Sequence, residues 1–435
     1  MRDFIVILGF MGLLPLCFTR PFIGMLVWTW FTLMSPHREV YGFAQSFQFN
    51  ALIIMMTAIG LLISSEKIRP ILNKNTVWFL LWFAWTIITM QVSLAPQASY
   101  DYFMRIPFSL YIYTIFLILL INREERIISI VWMSVVSLGY YGVTLGLIGI
   151  LKGGSNVGSN VFGPVGTLLE DRNHMALALC MIIPLIHYLI TYTQRIFVKN
   201  ILWCTLFLNI IAILVSYSRG GWLCLIFVGS YYFYFVKNKI LYIILIIIGL
   251  GAGTLFMPDE WSQRMDFKDV SKDQSLNGRF EAWSLITEIA KNNPLMGSGF
   301  QSPQDPVIFA KYRYATELDK PLAAHSIYFQ VLGEHGFTGL FIFLMLIVFG
   351  FISNYKTRKM TKDNPKLDWC RDLSNSLQVS LGTFCIGGAA LSLAYFDIFH
   401  IILILSFSLN YLVGQKCKTE SIVQKKSKYT NKIAL

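Results

Sequence analysis

About thirteen apolar runs, most of roughly 15 to 25 residues, alternate along this chain with short loops that hold its lysines and arginines. A helix of about 20 apolar residues reaches across the hydrocarbon of a bilayer, where a backbone must satisfy its own hydrogen bonds. The pattern therefore predicts an all-α polytopic membrane protein. Composition agrees: of 435 residues, 55% are hydrophobic and 14% charged, and the mean hydropathy is +0.57. The runs lie near 3–18, 21–35, 50–64, 76–92, 107–121, 127–151, 174–192, 200–217, 220–236, 239–257, 335–354, 375–396 and 398–414. The first two are short. Read as one broken or re-entrant pair, they leave about twelve spans.

The net charge of +12 is less informative than its placement. Lys67, Arg69 and Lys74 share one loop, Arg123 and Arg126 another. Arg195 and Lys199, Lys237 and Lys239, and the run from Lys356 to Arg371 form three more, and the tail from Lys416 is basic. Counting crossings puts all of them on one side, which the positive-inside rule makes cytoplasmic. The other side receives His37 and Arg38, Asp101 and Arg105, the glycine-rich loop from Lys152 to Arg172, Arg219, and a polar insert over 258–325. This scatter of basic loops is not a nucleic-acid footprint. The seven cysteines lie in apolar spans or basic loops without metal spacing, so neither a disulfide framework nor a zinc site is expected. The first span lacks a small-residue cleavage site and reads as retained. The chain divides into an N-terminal membrane region (1–175), a central one (176–257), a large outer loop (258–334), C-terminal spans (335–414) and a basic tail (415–435), which is expected to be solvated or to bind anionic headgroups.

Within the insert, Phe280, Trp283, Ile286 and Ala290 recur at helical spacing. They predict a helix from Gly278 to Asn293, with Asn277 as N-cap and Arg279 in the first turn beside free N–H groups. A turn-rich piece from Gly297 to Pro306 follows, then a short helix from near His325 with Ile327, Tyr328, Val331 and Leu332 on its apolar face.

Three residues stand out chemically. Arg219 follows Val215-Ser216-Tyr217-Ser218 and precedes Gly220-Gly221, which let another group approach closely. An arginine at a span end can simply snorkel, but this one is on the side the basic bias avoids, and a guanidinium grips phosphate oxygens in pairs. Arg279 is a second clamp or, alternatively, a surface ion pair with Glu281 or Asp273. His325 titrates near neutrality and can take a proton from a hydroxyl; its other reading is a polar anchor. Arg172, Asn173, Arg105, Arg38 and Glu334 are further candidate substrate contacts, with His37 weaker. His335 and His400 are placed near the outer ends of the last spans. No Asp-x-Asp pair is set to hold a divalent ion on the outer side, and no cofactor is expected.

Ser218-Arg219-Gly220-Gly221 at a span end, Gly278-Arg279 with Trp283 in a long outer loop, and His325 with Glu334-His335-Gly336 before a span resemble the O-antigen ligase and polymerase superfamily. Arg20-Pro21-Phe22, Trp28-Thr29-Trp30 and Ser35-Pro36-His37-Arg38 are similar to the O-glycosylation ligases associated with exosortase systems. The resemblance covers most of the chain. It implies a GT-C-type glycosyltransferase of the bacterial inner membrane, working at the periplasmic face. Such an enzyme takes a glycan from undecaprenyl diphosphate and gives it to an acceptor hydroxyl, in ligases usually on the lipid A core. The family's arginines fall on Arg219 and Arg279, and its histidine on His325. Many members carry asparagine after that histidine, where this chain has Ser326.

The mechanism that follows is an inverting, metal-independent displacement. Arg219 and Arg279 hold the diphosphate, and His325 acts as general base or orients the acceptor hydroxyl. A repeat-unit polymerase and a protein O-oligosaccharyltransferase need the same leaving-group chemistry. A polysaccharide or lipid transporter would instead place charges and broken helices at mid-membrane depth.

Overall fold

The computed structural model describes residues 2–40, 42–64, 70–71, 73–152, 163–235, 239–240 and 274–433. The expected span over 239–257 and the first part of the insert lie outside the described residues, apart from 239–240. What is described is all-helical apart from turns and short 3-10 segments. The helices are α1 (Arg2–Thr19), α2 (Pro21–Met34), α3 (Phe49–Ile63), α4 (Lys74–Gln91), α5 (Pro96–Arg105), α6 (Pro107–Leu120), α7 (Glu124–Leu151), α8 (Arg172–Tyr192), α9 (Ile196–Val215), α10 (Arg219–Phe235), α11 (Gln274–Asn292), α12 (Pro306–Tyr312), α13 (Ile327–Thr361), α14 (Asp368–Gly388) and α15 (Asp397–Ile433).

Six of these, α1, α7, α8, α9, α13 and the part of α15 to Thr419, are individually long and apolar enough to cross a membrane among the described residues. The pair α5 and α6, bent by 43°, makes a seventh as one broken span. This is fewer than the run count predicts, for local reasons. Helices α2 and α3 are apolar but have only 14 and 15 residues. Helix α10 has 17. Tryptophans, threonines and polar ends dilute α4, and α14 carries Asp368, Arg371, Asp372 and a row of serines.

Helix α8 is the axis of the bundle. Its membrane-length window is 83% buried, against 22% for α9. It is apolar all round, as a helix enclosed by others must be. Helices approach each other where side chains are small, the usual device in a solvent that offers no hydrophobic contrast. Ser380 Oγ of α14 donates to Met181 O at 2.7 Å. Gly139, Gly142, Gly146 and Gly149 of α7 line up against Thr205, Asn209, Leu208 and Val215 of α9, and a Cβ at 146 would sit 2.3 Å from Leu208 O. That register runs the same way on both helices, so α7 and α9 are parallel.

These pairings sort the loops by end. Lys416 pairs with Glu124. Asn75 Nδ2 donates to Ser353 Oγ at 2.8 Å, which sets the start of α4 against the second half of α13. Arg126 lies over the Phe22 ring at 4.8 Å. Lys74, Arg123, Arg126, Arg195, Lys199, Arg358, Lys359, Arg371 and Lys416 therefore gather at one end. The opposite end gathers Arg38, whose guanidinium lies 3.6 Å from where a Cβ on Gly166 would be, with the starts of α8, α10, α13 and α15 and the end of α14. The basic tail is not irregular: α15 continues as helix to Ile433.

Candidate functional site

Three helix starts meet at that second end, and small residues allow it. A Cβ on Gly221 would lie 2.8 Å from Ala176 Cβ, which locks the first turn of α10 to that of α8. Gly387 and Gly388, at the end of α14, would place Cβ atoms 2.5 Å from Leu177 Cδ1 and 2.8 Å from Ile327 Cδ1. So the start of α8 touches α14, and α14 touches the start of α13.

Arg219 is the first residue of α10 and is exposed. Ser218 caps the helix: its buried Oγ accepts from Gly221 N at 3.1 Å. The turn into it needs Tyr217 at φ 52°, a left-handed conformation unusual for a tyrosine. His325 enters α13 in the same way, at φ 44°. Its N–H donates to Ser392 Oγ at 2.8 Å, in the loop after α14. Backbone of this kind persists only where its surroundings hold it, and it clusters at functional sites.

Arg279 arrives from α11. Trp283, one turn on and on the same face, donates from Nε1 to Ala324 O at 2.7 Å. Its ring stacks on Phe329 at 4.7 Å with 4° between planes. Arg279 is thereby held beside the residues flanking His325. The imidazole has Arg279, His174 and Asp171 as electrostatic neighbours. Its pKa is lowered, first by burial, then by the Arg279 guanidinium and by His174, while Asp171 opposes them.

Two expectations about α11 need correction. The helix already runs from Gln274, so Arg279 sits in a later turn and its guanidinium gains nothing from terminal N–H groups. Phe280 is exposed, and the buried face is Ala282, Leu285, Ile286, Ile289 and Ala290. Leu285 and Ile289 join Ile308, Phe309 and Tyr312 of α12 over Ala95 in a small core that seats the loop on the bundle. Glu281 is engaged elsewhere: its Oε2 accepts from Thr316 Oγ1 at 2.9 Å and Glu317 N at 2.8 Å. Asp273 lies outside the described residues.

The remaining candidates separate. Arg172 and Asn173 are in the first turn of α8, where Asp171 accepts from Asn173 N at 2.7 Å and His174 N at 3.3 Å. Arg105 is exposed and lies over Tyr102 at 5.7 Å. Glu334 is buried in an internal network: it accepts from Tyr395 Oη at 2.6 Å and Gln301 N at 3.1 Å, and His335 Nε2 meets the same Tyr395 hydroxyl at 2.5 Å. Thr89 Oγ1 reaches His335 Nδ1 at 2.6 Å. This network ties α4, α13 and the loops at 297–302 and 389–396 together, so Glu334 and His335 hold the site's frame. Tyr395→Phe strips the buried Glu334 of a donor and is expected to cost about 1–3 kcal/mol, read as a lower thermal midpoint in detergent. His37 is packed between Phe31 and Phe49, at 5.9 and 5.2 Å, and His400 is buried in the first turn of α15. A cavity of about 240 Å³, lined by His187, Tyr192, Tyr231 and Asp372, lies at the far ends of α8 and α10.

Sequence reasoning passed over His174. It chose Arg172 and Asn173 from the same loop, although the Asp171-x-x-His174 spacing that caps a helix is legible in the chain.

Residues 204–344, which contain Arg219, Arg279 and His325, match the family model described as O-antigen ligase. The match is confined to this stretch of the chain, which carries an O-antigen ligase domain and supports the O-antigen ligase/polymerase superfamily. Residues 1–194, which contribute Arg38, Arg105 and the start of α8, match a family of unknown function (DUF5935). Comparison with curated proteins finds no match. The ligase domain thus contains Arg219, Arg279 and His325, and the preceding region contains His174 and Asp171, electrostatic neighbours of His325.

Proposed function

We propose that this protein is a membrane glycosyltransferase that moves a glycan from undecaprenyl diphosphate to an acceptor hydroxyl, with inversion, at the periplasmic face of the inner membrane. The acceptor is the lipid A core or a related surface glycan. The observation that supports the reading is the bond from Trp283, one turn from Arg279, to Ala324 O beside His325, at the end of the bundle where α10 begins with Arg219 and away from the basic loops. The positive-inside rule makes the basic end cytoplasmic.

His325 takes the proton of the acceptor hydroxyl as its oxygen attacks the anomeric carbon. The bond from that carbon to the diphosphate oxygen breaks on the opposite face, and undecaprenyl diphosphate leaves with the electron pair. Arg219 and Arg279 meet the charge that grows on the leaving oxygens. A neutral imidazole is the competent base, and the lowered pKa of His325 keeps it neutral at physiological pH.

Incubation of the reconstituted protein with a lipid-linked oligosaccharide tests the reading, with lipid A core, a second lipid-linked glycan and a Ser/Thr peptide as acceptors and mass analysis of products. Transfer to the second lipid-linked glycan assigns a polymerase, and transfer to the peptide a protein O-oligosaccharyltransferase. Movement of the lipid-linked glycan across vesicles without covalent transfer rejects the reading. Arg219→Lys is expected to lower transfer at least about tenfold, because an ammonium loses the paired hydrogen bonds. Near-normal rates there reduce Arg219 to a snorkelling residue.

A further inference from the structure

His174 is an electrostatic neighbour of His325 that the mechanism above leaves unused. It stands in the first turn of α8, and its Nδ1 lies 2.8 Å from Leu168 O. A carbonyl oxygen only accepts, so Nδ1 carries the proton, and in the neutral ring Nε2 is a hydrogen-bond acceptor. The ring is thus fixed in tautomer by its own loop, with Asp171 capping the helix beneath it. Leu177, on the same face one turn on, packs against α14 where α14 meets Ile327, two residues after His325. The start of α8 therefore lies close to the residues that follow His325, and His174 and Arg279 are both electrostatic neighbours of the His325 imidazole.

Chemistry narrows what Nε2 can hold. Diphosphate oxygens have no proton to give and are matched by guanidinium groups, not by an acceptor nitrogen. A sugar hydroxyl is the complementary partner. The group handled next door by His325 is the acceptor's hydroxyl. We propose that His174 is an acceptor-binding residue, its Nε2 taking a hydrogen bond from a hydroxyl of the incoming glycan or glycolipid while His325 deprotonates the attacking one. This rests on the glycan-transfer reading. It gives the N-terminal region a direct part in recognising the acceptor, through a residue outside the ligase domain.

The test uses two amide substitutions in the full-length reconstituted protein. His174→Asn keeps an N–H near the Nδ1 position for Leu168 O and deletes the Nε2 acceptor. His174→Gln puts an amide near the Nε2 position. Rates are measured with whichever of the three acceptors the wild type glycosylates, varying acceptor and donor separately, with thermal midpoints alongside. His174→Asn is expected to raise the acceptor KM about tenfold or more, with donor KM unchanged, kcat within a few-fold and the thermal midpoint kept. His174→Gln is expected to recover much of the loss. An unchanged acceptor KM in His174→Asn overturns the proposal, as does a rise confined to donor KM. Loss of folded protein in both variants overturns it too, because it assigns the ring to holding α8 in place. Full transfer by His325→Ala rejects the underlying chemistry instead, and leaves the His174 measurement to stand on its own kinetics.

Discussion

His325→Ala leaves a folded membrane protein whose transfer rate has dropped about 10²–10⁴-fold. The fold should survive because the contact His325 makes through its backbone, N–H to Ser392 Oγ at 2.8 Å, does not need the imidazole. The ring is half-buried, so its removal opens little core. The measurement is single-turnover transfer by purified variant and wild type at matched thermal midpoints. Full transfer by the variant removes the general base from the mechanism. A pH profile adds an independent check. Transfer fails as pH falls through the pKa of His325, because the protonated ring cannot accept. Burial, Arg279 and His174 lower that pKa, so the acid limb should lie below the ordinary imidazole range. Arg279→Gln removes a positive neighbour, which lets the ring protonate more easily. Its residual activity should therefore have an acid limb moved to higher pH. An acid limb that stays in place in Arg279→Gln separates the two side chains electrostatically.

Gly336→Ala should abolish accumulation of folded protein. Helix α13 breaks at this residue, with φ 70° and ψ −173°, a combination open essentially to glycine alone. The break turns the short helix that begins after His325 into the long span below it. The space there is already filled: a Cβ would lie 2.5 Å from Leu295 O and 2.7 Å from Pro294 O. Pro294 O is held in place by Phe337 N, which donates to it at 2.8 Å, and the stretch of chain beyond is tied to α13 by Gly299 N, which donates to Glu334 O at 2.8 Å. Strain alone costs on the order of 1–3 kcal/mol, and the clash adds to it. Gly12→Ala in α1, where a Cβ meets nothing within 4 Å, is the matched control and should be neutral or slightly stabilising. Membrane yield and thermal midpoint read both. Wild-type behaviour of Gly336→Ala contradicts the account of the kink.

Much of the architecture was legible because a membrane leaves few choices. Runs long enough to cross were visible as runs, and the side-sorting of Lys74, Arg126, Arg195, Arg358 and Lys416 followed from counting alone. The short helix before Gly336 and the stop at Asn293-Pro294 were also readable, since glycine and proline act locally. Length alone is less telling, since six helices among the described residues are individually long and apolar enough to cross and shorter apolar ones pack beside them. An apolar run states that a segment is buried in something apolar, and neighbouring helices satisfy that as well as lipid does. The start of α11 was missed for a related reason: Asn277 has the chemistry of a cap, but the chain upstream of it stays helical from Gln274.

Arg219, Arg279 and His325 could be nominated from short motifs because their flanking glycines, tryptophan and span ends are local marks. Glu334 could not be sorted in the same way, since a carboxylate buried in a frame and one lining a site look alike in one dimension. The amino-acid sequence alone determined the class of the protein and the residue types available for phosphate and proton chemistry, both of which depend on composition and spacing along the chain. Only the tertiary structure decided which of those residues meet. Small side chains at Gly221, Gly387 and Gly388 let helices from distant parts of the chain close to contact distance, and that packing brings the start of α8 to the residues after His325, while Glu334 is buried against Tyr395.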